Sequence, residues 1–126
     1  MPGVVELTDA TFTEGVSGDG VTVVKFWAPW CGPCRTFAPI FEEAAAAHPA
    51  ATFAALDVSA HPGVAASTGV RSIPTVMTFR DGVLVDEHVG ALPRAAIDAL
   101  VSTAAALDPD ELDGQLDSGF PDGAVL

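Results

Sequence analysis

Residues 23–34 read VVKFWAPWCGPC, and this stretch decides both the fold and the chemistry of the chain. The apolar run over 21–28 is almost continuous and rich in Val, Phe and Trp, which is typical of a strand buried on both faces of a parallel sheet. Two cysteines, Cys31 and Cys34, follow the run directly. Lys25, the only lysine of the chain, lies inside the run, where a charged side chain is unexpected.

The sequence around this stretch alternates between strand and helix patterns. From residue 34 to residue 48 it turns to Phe, Glu and repeated Ala, which predicts a helix that Pro39 kinks, because proline removes one backbone donor. Other strands are predicted over 4–7, 52–58, 75–80 and 83–89. Other helices are predicted from Thr8 or Asp9 towards Gly15, over 61–68 with a stop at Gly69, and from Pro93 onward. Only Asp81 and Gly82 separate the last two strands, which predicts a two-residue hairpin turn. This order of elements indicates an α/β domain.

Length and charge limit the class of protein. The 126 residues, 49% of them hydrophobic, are enough for one domain with a core of its own. A net charge of −12 disfavours nucleic acid and anionic membranes as partners, because both are polyanions. No run approaches the roughly 18 apolar residues of a membrane span. The first residues lack a basic flank followed by an apolar run, so we expect a cytoplasmic protein without a secretory signal.

Residues 108–126 differ in composition from the rest of the chain. They hold six acidic residues and no basic one, together with two prolines and three glycines. This composition predicts a flexible acidic tail that follows a folded domain of residues 1–107.

The spacing of the two cysteines predicts redox chemistry. If Cys31 lies where the strand ends and the helix begins, its sulfur meets unsatisfied N–H groups and the positive end of the helix dipole. Both stabilise the thiolate, which is the nucleophilic form. Cys34 is one helical turn further on, close enough to attack a mixed disulfide formed at Cys31. We therefore expect Cys31 to be exposed and Cys34 to be shielded. Gly32 is expected to permit a tight turn, and Pro33 to stiffen it.

Two other uses of the cysteine pair are weaker. A structural disulfide across so short a loop constrains little unfolded-chain entropy and therefore stabilises little. A zinc site needs about four ligands, and His48, His61 and His88 lack the spacing of ligands. We therefore expect no metal.

Residues 26–34, FWAPWCGPC, resemble the active-site signature of thioredoxins, and other motifs of that family follow in register. Pro39 matches the helix-kinking proline of the family, and 71–75, RSIPT, matches the loop whose proline is cis and faces the cysteines. Asp81-Gly82 matches the hairpin turn, and 89–91, VGA, matches the glycine segment beside the site. The resemblance covers residues 4–107 and implies the thioredoxin fold, a central mixed β-sheet flanked by helices.

The resemblance also implies a function and a set of roles. It implies a protein disulfide reductase that works by dithiol–disulfide exchange, with Cys31 attacking and Cys34 resolving. The implied partners are disulfide-containing proteins and a thioredoxin reductase that passes electrons from NADPH, with no bound cofactor in a chain that we expect to be a monomer. The shallow substrate-binding surface would comprise Trp30, Gly32, Pro33, Ile73, Pro74, Gly90 and Ala91.

The chain departs from the family at two positions. Thioredoxins usually have a buried aspartate where this chain has Lys25, and often a lysine near the position of Ala55. Because the family's carboxylate serves the proton of the resolving thiol, we expect Lys25 to belong to the site, with its ammonium near Cys34 and facing Asp57. The alternative is a lysine whose stem packs in the core while its ammonium reaches water.

Two other functions stay open at this point. A more oxidising exchanger or isomerase is favoured by Lys25, since a nearby cation stabilises thiolates, but the family's oxidants generally carry a histidine in the Gly32-Pro33 pair. A non-catalytic docking or holdase subunit would use the same apolar surface and the acidic tail, and it would not need Cys31.

Overall fold

The strands of the chain form one mixed sheet, seen in a computed structural model that describes residues 3–107. The predicted tail, 108–126, lies outside the described residues. In chain order the elements are β1 Val4–Leu7, α1 Phe12–Val16, β2 Val21–Trp27, α2 Gly32–Ala47, β3 Thr52–Asp57, α3 Pro62–Thr68, β4 Thr75–Arg80, β5 Val83–Val89 and α4 Arg94–Ala105. The sheet order is β1-β3-β2-β4-β5. The first three strands in this order are parallel, and β4 and β5 are antiparallel to their neighbours. The predicted α/β class with a central mixed sheet is confirmed.

Strand β2 lies at the centre of the sheet, which explains its nearly continuous apolar sequence. One face of the sheet packs against α2 and α4 through a cluster that includes Val23, Phe41 and Ile97. The other face packs against α1 and α3 through Phe12 and Val64. Because helices cover both faces, successive residues of β2 are all buried up to Phe26.

The hairpin between β4 and β5 forms as predicted. Asp81 and Gly82 both have positive φ, 52° and 83°, as a turn whose twist matches the two strands requires. The helix α3 ends at Gly69, whose φ of 79° lets its N–H reach the carbonyl oxygen of Ala65. The helix α2 continues through Pro39, although that residue has no N–H for the carbonyl of Arg35.

The predicted start of the first helix was wrong. Thr8 and Asp9 do not cap it. Thr8 instead exchanges hydrogen bonds with Thr11, and α1 begins only at Phe12. Asp9 instead accepts hydrogen bonds from the backbone N–H groups of Gly63 and Val64, at 3.2 and 2.8 Å. The carboxylate therefore caps α3, which is more than fifty residues away in sequence.

A single arginine closes the end of α4. Nη1 of Arg80 donates to the carbonyl oxygens of Ala104, Ala105 and Leu107, at 3.0, 3.1 and 2.7 Å. Two of these carbonyls belong to the last turn of α4 and the third to Leu107 just after it, in the region where a helix leaves carbonyls without intrahelical partners. The contact ties the last described residues to β4. Within residues 3–107, no helix has the length and hydropathy to cross a membrane.

The long-range cap gives a first prediction. We expect Asp9→Ala to lower the free energy of unfolding by about 1 kcal/mol, because two N–H groups of α3 lose their acceptor. Chemical denaturation of the purified protein would measure the change. Asp19→Ala is the matched control, since it removes the same charge from an exposed aspartate with no side-chain hydrogen bond among the described residues. Equal losses in the two variants would contradict the role of Asp9 as a cap.

Candidate functional site

The site forms where β2 ends and α2 begins. Trp27 is the last residue of β2, and its carbonyl oxygen accepts from the N–H of Val58 at 2.9 Å, which holds the strand end against β3. The chain then turns, with the N–H of Cys31 donating to the carbonyl of Ala28 at 3.1 Å. Cys31 has extended backbone angles and is the N-cap of α2. The predicted place of Cys31 at the start of the helix is confirmed.

The side chain of Cys31 itself caps the helix. Its Sγ accepts a hydrogen bond from the backbone N–H of Cys34 at 3.2 Å, and the two cysteines form a disulfide with a Cα–Cα distance of 5.2 Å. An N–H group aimed at a sulfur favours its ionised form over its protonated form, and so does the positive end of a sixteen-residue helix. We therefore expect this arrangement to favour the thiolate of Cys31 in the reduced protein.

The two sulfurs differ less in exposure than predicted. Cys31 is 6% exposed and Cys34 is 2% exposed, so both are buried in the disulfide form and Cys31 is only slightly more accessible. Ala28 is buried in the same cluster, and Trp27, Val58 and Ile73 pack against it. The direction of the predicted contrast holds, but the expectation that Cys31 is exposed was wrong. Any group that reacts with Cys31 must therefore reach its sulfur at the edge of an apolar cluster.

The predicted reason for Gly32 was wrong as well. Gly32 is the first residue of α2. Its φ is not positive, and a Cβ at this position would meet no atom within 4 Å. The turn therefore does not require glycine there. Pro33 follows in the first turn of the helix, where its missing N–H costs no hydrogen bond, as predicted.

The loop before β4 and the segment after β5 close the site. The carbonyl oxygen of Ile73 lies 3.9 Å from Sγ of Cys31, and the bond between Ile73 and Pro74 is cis, as the resemblance implied. Gly90, with a φ of 108° that disfavours other residues, donates its N–H to the carbonyl of Pro74 at 2.8 Å. Ala91 follows on the surface. The structure thus brings together the three predicted segments.

Two large apolar side chains are exposed at this site. Trp30, which was predicted for the substrate-binding surface, is 68% exposed. Val89, which belongs to the predicted glycine segment but not to that predicted surface, is 61% exposed. Val89 is the last residue of the edge strand β5, opposite Thr75, which follows the cis proline. The signal that could have found Val89 is its position directly before Gly90 at the end of an edge strand, where an apolar side chain has no layer to cover it.

Lys25 is buried on the face of β2 that packs against α2. It is 5% exposed, and its Nζ lies 5.3 Å from the ring centroid of Phe41 and 5.8 Å from that of Trp27. No carboxylate of residues 3–107 lies within 4 Å of this ammonium, so its contacts are with ring faces, which attract cations. Burial lowers the pKa of Lys25, while the charges of Glu42 and Glu6 act to raise it.

The sheet register explains why Glu6 acts on Lys25. Lys25 pairs with Ala55 on β3, and Ala55 pairs with Glu6 on β1. In adjacent parallel strands these three side chains point to the same face. The small alanine between them leaves space above it for the two long side chains. Burial raises the pKa of Glu6, whereas Lys25 acts to lower it.

The expectation that the ammonium of Lys25 faces Asp57 was wrong. Asp57 is in register with Trp27, and its carboxylate accepts from Ser59 N and Oγ, at 2.9 and 2.6 Å, and from Ala60 N. Burial acts to raise the pKa of Asp57, but the hydrogen bonds from Ser59 and Ala60 outweigh it and lower the pKa. The Asp57 carboxylate therefore stabilises the turn of residues 57–60 that follows β3. The link between Lys25 and the cysteines is instead Trp27, which packs against the core on the Lys25 face and against the cysteine cluster.

In the described part of the chain, no group of three or more His, Cys, Asp or Glu side chains is arranged to hold a metal ion.

The chain matches known proteins over most of the described domain. The family described as Thioredoxin matches residues 3–103. The thioredoxin of Alicyclobacillus acidocaldarius is 43% identical over 94 residues, which cover 74% of this chain and 90% of that protein. The thioredoxin of Staphylococcus aureus is 47% identical over 92 residues, 72% of this chain and 88% of that protein. A solved structure of a mutant thioredoxin from Halobacterium salinarum NRC-1 superposes with a TM-score of 0.76 at 31% identity, covering 84% of this chain and 94% of that chain.

The burial of Lys25 predicts an unusual pH dependence of stability. Because the pKa of Lys25 is lower in the folded chain than in the unfolded chain, the unfolded chain binds more protons between the two pKa values. The free energy of unfolding should therefore rise as pH increases towards about 10. Lys25→Met keeps the apolar stem without the charge, and this variant should lose that rise and be more stable than the wild type near neutral pH. Denaturant titrations of both proteins from about pH 7 to about pH 10 would measure it. Parallel curves for the two proteins would contradict the burial of a charged Lys25.

Proposed function

The chain belongs to the thioredoxin family, and from that premise we propose that it is a protein disulfide reductase in which Cys31 attacks and Cys34 resolves. The observation that carries this assignment of roles is the hydrogen bond from the Cys34 N–H to Sγ of Cys31 at the start of α2. This contact favours a thiolate at Cys31 and leaves Cys34 inside the first turn as the thiol held in reserve.

The reaction is a pair of exchanges. The Cys31 thiolate attacks one sulfur of a substrate disulfide, that S–S bond breaks, and one substrate sulfur leaves as a thiolate. The product is a mixed disulfide between Cys31 and the substrate. Cys34 then gives up its proton and attacks Sγ of Cys31, which releases the second substrate sulfur. The substrate gains two electrons and two protons, and the protein is left with the Cys31–Cys34 disulfide.

The substrate chain binds at the surface around the sulfurs. Trp30 supplies an exposed ring on one side, and the loop of Ile73 and Pro74 lies on the other. Gly32 and Pro33 present little side chain between them, while Gly90 and Ala91 form the far rim. Support for this surface comes from the short contacts that join its segments to Cys31 and to each other.

The wider setting follows from the same premise. Electrons come from NADPH through a thioredoxin reductase, and the protein works as a monomeric electron carrier in the cytoplasm.

Residues 1–107 contain everything that the dithiol chemistry uses, and the acidic residues of 108–126 take no part in it.

Substitution of each cysteine tests the proposal. With NADPH, thioredoxin reductase and a disulfide protein as substrate, the wild type should sustain NADPH oxidation and Cys31→Ser should abolish it. Cys34→Ser should instead accumulate a mixed disulfide with the substrate, visible as a band on a non-reducing gel that a thiol reductant removes. Retained turnover in Cys31→Ser would contradict the assigned roles, and an apolar docking function that survives Cys31→Ser would favour a holdase.

Lys25 acts in this function as a positioning residue, one aromatic ring away from the cysteine cluster. A buried cation stabilises thiolates and hence the reduced form, which makes the disulfide more oxidising and favours the second candidate function, a more oxidising exchanger.

Lys25→Asp should therefore raise the pKa of the cysteines by about one unit and make the couple more reducing by about 30 mV. Titration of thiolate absorbance and equilibration against glutathione would measure both quantities. Lys25→Met, which only removes the charge, should give a smaller change in the same direction. Unchanged pKa values and potentials in both variants would leave Lys25 without a role in the chemistry.

A further inference from the structure

The charges of the chain are divided between two parts of its sequence. All 17 acidic residues lie outside residues 20–41 and 58–80, and these two stretches contain four of the five cationic residues. The first stretch carries Cys31 and Cys34, and the second carries the loop with the cis Pro74. In a chain with a net charge of −12, the segments that build the site are locally positive.

Three of the five cationic side chains already interact with other groups of the protein. Lys25 is buried between two rings. Arg80 closes the end of α4, and Arg94 pairs with Asp98 at 3.1 Å. The remaining two, Arg35 and Arg71, are exposed, and neither forms an ion pair with any carboxylate of residues 3–107.

Both exposed arginines are close in sequence to residues that lie at the sulfurs. Arg35 follows Cys34 directly in the first turns of α2. Arg71 is two residues before Ile73, whose carbonyl oxygen is 3.9 Å from Sγ of Cys31, and two residues span at most about 7 Å. The third segment of the site, 89–93, carries no charge at all. Among the described residues, Asp57 directly precedes Val58 of the cysteine cluster, but its carboxylate accepts hydrogen bonds from Ser59 and Ala60. Arg35 and Arg71 are thus the exposed cationic residues on the segments that carry the cysteines and the cis proline.

We propose that Arg35 and Arg71 determine substrate specificity, by binding acidic side chains that flank the disulfide of a protein substrate. The inference rests on the proposed function, because it names the class of substrate that the same dithiol reduces. A guanidinium offers a carboxylate two parallel N–H donors, so the two arginines recognise Asp and Glu in preference to neutral residues. The acidic remainder of the surface repels an acidic segment, which leaves this face as the one that such a segment can approach.

This proposal and the net charge of the protein predict opposite preferences for the charge of the substrate. If long-range attraction to the −12 chain dominates, basic substrates react faster than acidic ones. If the two arginines dominate at contact distance, acidic substrates react faster, because charges further away than about 10 Å are largely screened. The sign of the preference therefore decides between the two.

The experiment uses the reduced full chain and three synthetic peptides with the same disulfide loop. The residues beside the cysteines are glutamate in the first peptide, glutamine in the second and lysine in the third. Disulfide exchange is followed by acid quenching and chromatography of the peptide thiols. We expect the glutamate peptide to react about three to ten times faster than the lysine peptide at low salt, with the ratio falling towards one at about 0.5 M salt.

Variants assign the preference to the two arginines. The double substitution of Arg35→Gln and Arg71→Gln should bring the glutamate-to-lysine ratio to one or below. Because the loss of a cation beside the sulfurs also changes thiol reactivity, the readout is the ratio within each variant, in which that change cancels. Arg94→Gln is the matched control, since it removes the same charge. Its partner Glu43 lies nine residues along α2 from Cys34, about 13 Å away, so this variant should keep the wild-type ratio.

The outcomes separate the two proposals. Failure to reduce any of the three peptides would overturn the disulfide reductase function itself. Reduction of all three at equal rates, or fastest reduction of the lysine peptide, would leave that function intact and overturn the role of Arg35 and Arg71. A ratio that Arg94→Gln lowers as much as the double substitution would also overturn it. The salt dependence of the wild-type ratio tests the inference without any variant.

Discussion

The hydrogen bond from the Cys34 N–H to Sγ of Cys31 connects the fold of this protein to its chemistry. A helix leaves its first N–H groups without intrahelical partners, and here a sulfur accepts one of them in the place where Ser, Thr or Asp usually does. The contact needs a strand that ends at a fixed position, and β2 provides it because it is central in the sheet and tied to β3 by the Trp27–Val58 hydrogen bond. The same contact that caps the helix favours the thiolate of Cys31. The sulfur proposed as the nucleophile is therefore also the N-cap group of α2.

Charge is arranged around this contact in two layers. Inside, Lys25 stands where the family resemblance implied an aspartate. Its ammonium lies near the rings of Trp27 and Phe41. The negative charges of Glu6 and Glu42 act to stabilise its charged form. Outside, two arginines stand on segments that contain no acidic residue. In the proposed function, both layers favour negative charge at the sulfurs, in a chain whose net charge is −12. A positive environment limited to the reacting group stabilises thiolates without giving the whole protein an affinity for polyanions.

The sequence predicted the parts of this structure that depend on local chemistry. The apolar run of β2, the Asp81-Gly82 turn and the helix stop at Gly69 are set by residues within a few positions, and they formed as predicted. The cis Pro74 followed from the family resemblance. Asp9 was assigned to the wrong helix, because a long-range cap leaves no local pattern. The relation of Glu6 to Lys25 depends on the register of three strands, which no single segment encodes. Gly32 was given a steric role that its helical backbone does not require.

The central claim is that the start of α2 makes Cys31 acidic, and the pH dependence of its alkylation tests it most directly. The Cys34→Ser variant isolates the Cys31 thiol and keeps the backbone N–H that donates to its sulfur. The rate of reaction with iodoacetamide reports the thiolate fraction, so its midpoint gives the pKa. We predict a midpoint at least about one unit below the ordinary thiol value of about 8.5. A midpoint at or above about 8.5 would contradict the account, because the helix start would then do nothing for the sulfur that it holds.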